Sequence, residues 1–315
     1  MQLPTPTGST TARNALFVAL ALITIGFLVA LTRALRERAA AGEQVRPTPG
    51  VSIISFIANF FDTLGIGSFA TTTSMVRQWK LIADERLPGS LNVGYVIPTV
   101  LQAYIYTTTV PVDSTTLTLM IVAAVLGAWL GAGVVSSWGR RTIQVGMGLA
   151  LLVFAAILVA KQPQVALLPS GGDALALSGT KLIAGLLANF VLGALMTLGV
   201  GLYAPCMILV SLLGMNPIAA FPIMMGSCAF LMPMASIRFL KTRAYEPRAI
   251  LGMLLPGIPA VLIAAFVVKT LPPWGLPWLV VVVVTYTAIN MLRAARRERD
   301  IASAATSAEA QPASL

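Results

Sequence analysis

The residue best suited to chemistry in this sequence is Asp62, the only carboxylate deep within an apolar stretch. An ionisable side chain in such a position indicates a functional site, because burying a charge in a membrane segment is costly and such residues are therefore rare. Asp62 could take up and release a proton. It could equally serve as the N-cap of a short helix that follows it.

A glycine pair and a dense set of hydroxyl side chains surround Asp62. Gly65 and Gly67 are separated by a single residue, and glycine at such positions permits a tight chain reversal. The neighbouring hydroxyls are Thr63, Ser68, Thr71, Thr72, Thr73 and Ser74. Hydroxyls and free backbone N–H groups at a helix N-terminus are neutral donors that suit an anion. For any single hydroxyl, the alternative is a hydrogen bond to a carbonyl of its own helix.

The same pattern occurs a second time in the chain. Residues 63–70 read TLGIGSFA, and 134 residues later residues 197–204 read TLGVGLYA, identical at five of eight positions. The candidate site residues of this second copy are Thr197, Gly199, Gly201 and Tyr203, with Cys206 one helical turn further on. Met196 stands where the first copy has Asp62. The two copies therefore share their glycines but not their charge, and a chance match of glycine-rich apolar sequence is the alternative.

The side chains that most enzymes and metal sites need are missing from the sequence. There is no histidine, and the two cysteines, Cys206 and Cys228, do not form a CxxC pair. A zinc site, a histidine-bound haem and a disulfide framework are therefore not expected. No nucleotide-binding GxxxxGK[ST] motif occurs. We expect no metal, no cofactor and no enzyme activity, since an intramembrane enzyme would need grouped catalytic residues.

The composition indicates an integral membrane protein. Hydrophobic residues make up 57% of the chain and charged residues only 10%, against about 25% charged in soluble domains. Nine apolar blocks are long enough to read as membrane segments: 14–33, 49–76, 88–107, 114–138, 142–160, 180–213, 217–237, 249–269 and 274–292. The basic residues lie between these blocks, which favours contact with lipid headgroups and argues against nucleic-acid binding.

The first apolar block could be a signal peptide, but its charges argue for a retained helix. Only Arg13 precedes it, whereas Arg33, Arg36 and Arg38 follow it, and signal peptides carry their bases first. The predicted organisation is a leading helix with a basic loop (1–48), a first repeat (49–161), a second repeat (178–294) and a disordered tail (295–315). Each repeat comprises four apolar blocks.

The distribution of basic residues favours a particular topology. If all nine blocks span the membrane and the N-terminus is outside, 14 of the 21 Lys and Arg residues are cytoplasmic. If blocks 49–76 and 180–213 are instead re-entrant hairpins, 17 of 21 are cytoplasmic, which the positive-inside rule prefers. Each repeat then crosses the membrane three times, so the two repeats are inverted. The alternative is a long tilted helix whose glycines serve close packing.

Two halves that each open with a glycine-broken segment resemble the TauE/SafE sulfite-exporter family of anion permeases. The resemblance covers residues 50–295 and is carried by the two glycine motifs and by 214–217 (GMNP). The chain departs from the family's frequent run of three glycines, with Ser68 and Leu202 after the second glycine of each copy. The resemblance implies export of small sulfur- or carbon-based oxyanions such as sulfite, sulfonates or sulfoacetate.

These observations predict a secondary transporter of the inner cell membrane, with its N-terminus outside and its C-terminus cytoplasmic. The anion is expected near the bilayer midplane, held by broken-helix N-termini and hydroxyls, because no Lys or Arg lies in the middle of an apolar block. Asp62 would couple a proton to the anion. The expected partners are a small anion and the lipid bilayer, and the oligomeric state is left open. The alternative function is that of a non-transporting membrane subunit or assembly factor.

Overall fold

A computed structural model of the protein describes residues 10–83, 85–135, 140–160, 172–196 and 202–270, residues 162, 165, 167 and 278, and scattered positions from 281 to 299. Within these ranges every regular element is a helix, apart from an isolated bridge between Ala174 and Met215. The all-α class predicted from the sequence is therefore confirmed for the described residues. The predicted tail beyond 300 lies outside them.

The helices follow the predicted blocks closely. In chain order they are α1 (Thr10–Ala40), α2 (Pro49–Thr63), α3 (Ser68–Gln78), α4 (Leu87–Gly94), α5 (Val96–Thr109), α6 (Ser114–Val135), α7 (Arg140–Ala160), α8 (Gly179–Met196), α9 (Tyr203–Leu212), α10 (Ala220–Thr242) and α11 (Pro247–Thr270). Block 88–107, expected to be a single helix, is divided at Tyr95. Pro98 explains this division, because it has no N–H to donate to the carbonyl of Gly94.

The outer surface of the molecule is apolar, as expected for contact with lipid. Within the described part of the chain, four helices are long and apolar enough to cross a membrane, namely Thr11–Ala40, Gly179–Met196, Pro217–Thr242 and Pro247–Val267. Large hydrophobic side chains stand exposed on several of the helices, including Leu22 on α1, Trp129 on α6 and Phe266 on α11. An apolar surface of this extent is typical of a membrane interaction site rather than of a soluble monomer.

Several described helices have bounds that recur at the 134-residue spacing of the two glycine motifs. Shifting α3 and α6 by 134 residues reproduces α9 and α11 to within one residue at each end. The pair α4–α5, shifted in the same way, reproduces α10, which has no division in its middle. The two halves therefore place their helices in the same order and with nearly the same lengths.

Each half packs one long helix on the helix pair of the other half. Helix α6 packs on α8, and its counterpart α11 packs on α2. Both interfaces depend on glycine: Gly127 and Gly193 leave no room for a side chain between α6 and α8, and Gly257 lies against Asn59 and Pro98. Small residues that bring helix backbones together are typical of membrane helix packing.

One end of the bundle, here called the Glu246 end, joins α1, α4, α10 and α11. Arg38 Nη2 donates to the carbonyl oxygens of Arg243 and Tyr245 at 3.2 and 3.4 Å. The backbone N–H of Glu246 donates to Ser90 Oγ at 2.9 Å. These contacts place the C-termini of α1 and α10 beside the N-termini of α4 and α11.

The helix pair α2–α3 begins and ends at the Glu246 end. Gly50, at the start of α2, lies so close to Leu81, just beyond the end of α3, that an added Cβ would be 3.3 Å from the leucine side chain. Thr48 lies against Gly252, near the start of α11. The chain therefore leaves this end along α2 and returns to it along α3.

The opposite end, here called the Asp113 end, is formed by the α5–α6 connection and the segments 172–178 and 213–217. The N–H of Asp113 donates to the carbonyl of Leu175 at 2.8 Å, and the N–H of Asn216 donates to that of Ala174 at 3.0 Å. The pair α8–α9 begins and ends here, because Leu213 beyond α9 packs against Gly185 near the start of α8. The two helix pairs thus start from opposite ends of the bundle.

Candidate functional site

The break between α2 and α3 is built by the two glycines of the first motif. Gly65 has a φ of 98°, and the N–H groups of Gly65 and Ile66 bond the carbonyls of Asp62 and Phe61 at 2.8 and 3.1 Å. This arrangement is a Schellman motif, which ends a helix at a residue of positive φ. Gly67, with a φ of 85°, then leads into α3. The glycine break predicted from the sequence is therefore present in the first half.

The Asp62 carboxylate lies beneath this break and is 2% exposed. Its Oδ1 accepts a hydrogen bond from the backbone N–H of Ser68, the first residue of α3, at 2.6 Å. Its Oδ2 accepts from Gln102 Nε2 at 2.9 Å and, more weakly, from Tyr203 Oη at 3.5 Å. Asp62 therefore occupies the positive end of α3, which is the capping role that the sequence left open.

Helix α5 supplies two site residues that the sequence analysis did not identify. Gln102 is fully buried and donates to Asp62 and, at 3.0 Å, to Thr63 Oγ1. Tyr106, one turn further, donates its hydroxyl to the carbonyl oxygen of Thr63 and stacks on Phe221 with ring centroids 5.0 Å apart. A carboxamide in the apolar block 88–107 is the signal that could have indicated Gln102, since amides in membrane helices bond across helices.

Tyr203 brings the second half of the chain to the same site. It is the first residue of α9, and its hydroxyl lies 3.5 Å from both Asp62 Oδ2 and Gln102 Oε1. Tyr203, predicted as a substrate-binding residue of the second motif, thus lies beside the first glycine motif, although the two are about 140 residues apart in sequence. The site is therefore shared between the two repeats.

Three of the predicted hydroxyls of the first motif form hydrogen bonds within the protein. Thr63 Oγ1 bonds the carbonyl of Asn59 at 2.8 Å, and Thr71 Oγ1 lies 3.4 Å from that of Gly67. Thr72 Oγ1 pairs with the hydroxyl of Tyr95 at 2.7 Å. Thr63 and Thr71 thus follow the alternative of bonding their own helix, while Thr72 tethers α3 to the start of α5.

Both cysteines are buried in the second half of the chain. Cys206 lies on α9 and Cys228 on α10, and both are free thiols. Cys228 Sγ is 3.6 Å from Met196 Sδ, and Met196 is the counterpart of Asp62 in the second motif. Cys206 lies one turn after Tyr203 on α9.

The second glycine motif follows α8 in the sequence. Thr197, Gly199 and Gly201, predicted as site residues, lie outside the described residues. What is described is that α8 ends at Met196 and α9 begins at Tyr203. The motif therefore lies between two helices, as its counterpart does.

The described part of the chain contains no metal-binding cluster and several buried polar atoms without partners. Among the described residues, no cluster of three or more His, Cys, Asp or Glu side chains could hold a metal ion. In the same ranges, several buried polar atoms have no hydrogen-bond partner, namely Asn59 Oδ1, Asn189 Oδ1, Arg38 Nε and the hydroxyls of Ser227 and Ser236. Ser236 is the counterpart of Gln102 under the 134-residue shift.

The arrangement around Asp62 is a buried carboxylate among neutral donors in a glycine-broken helix pair. Residues 182–314 match the family described as Sulfite exporter TauE/SafE. The resemblance seen in the sequence is thereby confirmed over this range, which covers the second half of the chain. The apolar helices and the family together fit a transmembrane permease. Neither a curated protein nor a solved structure matches the chain.

Proposed function

We propose that this protein is a secondary membrane transporter that exports small oxyanions, such as sulfite, sulfonates or sulfoacetate-like compounds. The observation that carries the proposal is the donor set around Asp62, in which a helix N-terminus, an amide and a phenol converge on one buried anionic group. The match of residues 182–314 to a sulfite-exporter family supports the same conclusion.

We infer that α2–α3 and α8–α9 are re-entrant hairpins within two inverted repeats. Two observations support this inference: each pair starts and ends at one end of the bundle, and the two pairs use opposite ends. Helix α8 is long enough to cross a bilayer, at about 27 Å for 18 residues, yet the chain returns along α9 to the end from which it came. Inverted repeats with broken helices support alternating access.

The charges at the two ends favour one orientation. The helix termini and loops of the Glu246 end are rich in bases: Arg38, Lys80, Arg86, Lys241, Arg243 and Arg248. Those of the Asp113 end carry Asp113, Asp173 and Lys181. The positive-inside rule therefore makes the Glu246 end cytoplasmic, which leaves the N-terminus outside the inner membrane and the C-terminus inside.

The substrate is expected to bind where the two breaks face one another. In the first half, Ser68 N–H, Gln102 and the backbone at Gly65 and Gly67 supply or position the donors. In the second half, Tyr203 and the motif residues Thr197, Gly199 and Gly201 supply them, with Cys206 lining the path. Neutral donors suffice for this role, because a helix N-terminus carries roughly half a positive charge. Asp62 couples a proton to the anion.

A direct test is flux in liposomes that contain only this protein. Vesicles loaded with sulfite or methanesulfonate should release the anion faster when they contain the protein than when they do not. A counterflow screen that adds thiosulfate and small carboxylates would rank the substrates. A non-transporting subunit or assembly factor would give no flux in these vesicles. Absence of flux with every anion of the screen would therefore overturn the proposed function.

A further inference from the structure

The Asp62 carboxylate is held as a bound oxyanion would be held. Its two oxygens meet an N–H of α3, the amide of Gln102 on α5 and the hydroxyl of Tyr203 on α9. Gln102 is fully buried and Tyr203 is 9% exposed, so these donors lie in the interior of the protein. These three elements come from both halves of the chain and converge on one carboxylate.

Among the described residues, no lysine or arginine forms an ion pair with Asp62. The side chains that donate to its carboxylate are Gln102 and Tyr203, and neither is a cation. A second negative charge at these donors would be repelled, because interactions between charges are strong in a buried site.

We propose that this donor set holds one negative charge at a time: the Asp62 carboxylate in the structure described here, or a substrate anion beside a protonated Asp62. The inference rests on the proposed function and makes Asp62 an internal competitor of the substrate. As the anion binds, a proton from the same side forms an O–H bond on the Asp62 carboxyl. On the other side the anion leaves, that bond breaks, and the carboxylate returns to the donors.

The stoichiometry of transport follows from this exchange. One proton accompanies each anion in the same direction, so a monovalent anion moves without net charge. The second half adds no further proton, since Met196 stands at the position equivalent to Asp62 and lies against Cys228. Export is then driven by the anion's own concentration gradient together with the pH gradient, and it is insensitive to the membrane potential.

Equilibrium accumulation of methanesulfonate tests this inference, because this anion is monovalent throughout the neutral pH range. Liposomes are given either a pH gradient or a potassium-diffusion potential set with valinomycin. With the natural protein, the ratio of internal to external anion should change tenfold per pH unit and not with potential. In Asp62→Asn, the pH dependence should vanish and the ratio should change about 50-fold per 100 mV.

Asp113→Asn is the matched control. Asp113 is also a helix-capping carboxylate, whose Oδ2 accepts from Thr116 N at 2.8 Å, but it lies at the end of the bundle far from the donors. This variant should keep the natural pH dependence. If Asp62→Asn does not fold, the natural protein still decides: accumulation that follows potential and ignores pH overturns the inference while leaving transport itself established. No accumulation in any vesicle would instead overturn the proposed function.

Discussion

The two glycine breaks of this protein share one scaffold but differ in chemistry. In the first, Asp62 caps α3 and receives bonds from Gln102 and Tyr203. In the second, the position of Asp62 is taken by Met196, whose sulfur lies 3.6 Å from Cys228. Tyr95, which tethers α2 and α3, likewise has Ala229 as its counterpart.

This difference separates what the backbone must do from what the side chains must do. The glycines and the helix lengths are repeated, because both pairs must reverse direction within the bundle. The carboxylate, the amide and the tyrosine tether are not repeated, so the buried charge belongs to the first half alone. Helices of similar bounds can thus carry different side chains at equivalent positions.

The largest expected effect is the loss of transport when a large side chain replaces the second glycine of either motif. Gly67→Leu forces a β-carbon onto a residue with a φ of 85°, which costs about 1–3 kcal/mol and displaces the N-terminus of α3 from Asp62. We expect flux in liposomes to be abolished, and the same for Gly201→Leu in the second half.

Gly26→Leu is the control for this pair. Gly26 lies within α1, where an added Cβ would meet nothing within 4 Å, so the same substitution should leave flux unchanged. Normal flux in both Gly67→Leu and Gly201→Leu would show that the breaks are not needed. Loss in only one of them would show that the halves are unequal in backbone as well as in chemistry.

A smaller effect distinguishes Gln102 from its counterpart Ser236. Gln102→Leu removes the amide that donates to Asp62 and Thr63, and leaving a buried carboxylate short of a donor costs about 1–3 kcal/mol. Thermal unfolding of the purified protein should therefore begin a few degrees lower. Ser236→Ala should have no such effect, because its buried hydroxyl has no partner among the described residues. Equal losses in the two variants would contradict the asymmetry.

The smallest effect concerns the tyrosine tether of the first pair. Thr72→Val keeps the side-chain shape but removes the 2.7 Å bond to the Tyr95 hydroxyl, which should lower stability by about 1 kcal/mol and leave flux largely intact. Thr71→Val, in the same helix, should change stability by less than about 0.5 kcal/mol, because Thr71 is only weakly bonded to Gly67. Thermal unfolding of the two variants side by side checks the difference.

The sequence predicted the frame of the site well. The glycine pairs and the 134-residue repeat located the breaks, because reversal of a helix requires specific backbone angles that glycine adopts easily. Asp62 was recognisable because a carboxylate inside an apolar stretch is rare. Helix order followed from the apolar blocks, but the division of block 88–107 at Tyr95 did not.

The partners of Asp62 could not be predicted in the same way. Gln102 and Tyr106 lie about 40 residues away, and Tyr203 about 140 residues away, so only the packing of α5 and α9 brings them to the break. The roles of the hydroxyls also depended on packing: Thr63 bonds its own helix, whereas Thr72 bonds Tyr95. Both threonines belong to the same hydroxyl-rich stretch, so the local sequence does not distinguish their roles.

We infer that the two broken helix pairs enter the membrane from opposite faces. In a protein whose Cys206 and Cys228 have been replaced by alanine, single cysteines are introduced at Arg46 and Trp79, which flank α2–α3. Two more are introduced at Ser178, which precedes α8, and at Leu212, the last residue of α9. Labelling of intact cells and of inverted vesicles with an impermeant maleimide should place residues 46 and 79 in the cytoplasm and residues 178 and 212 outside. Labelling of the two residues of either pair from opposite faces would contradict the claim.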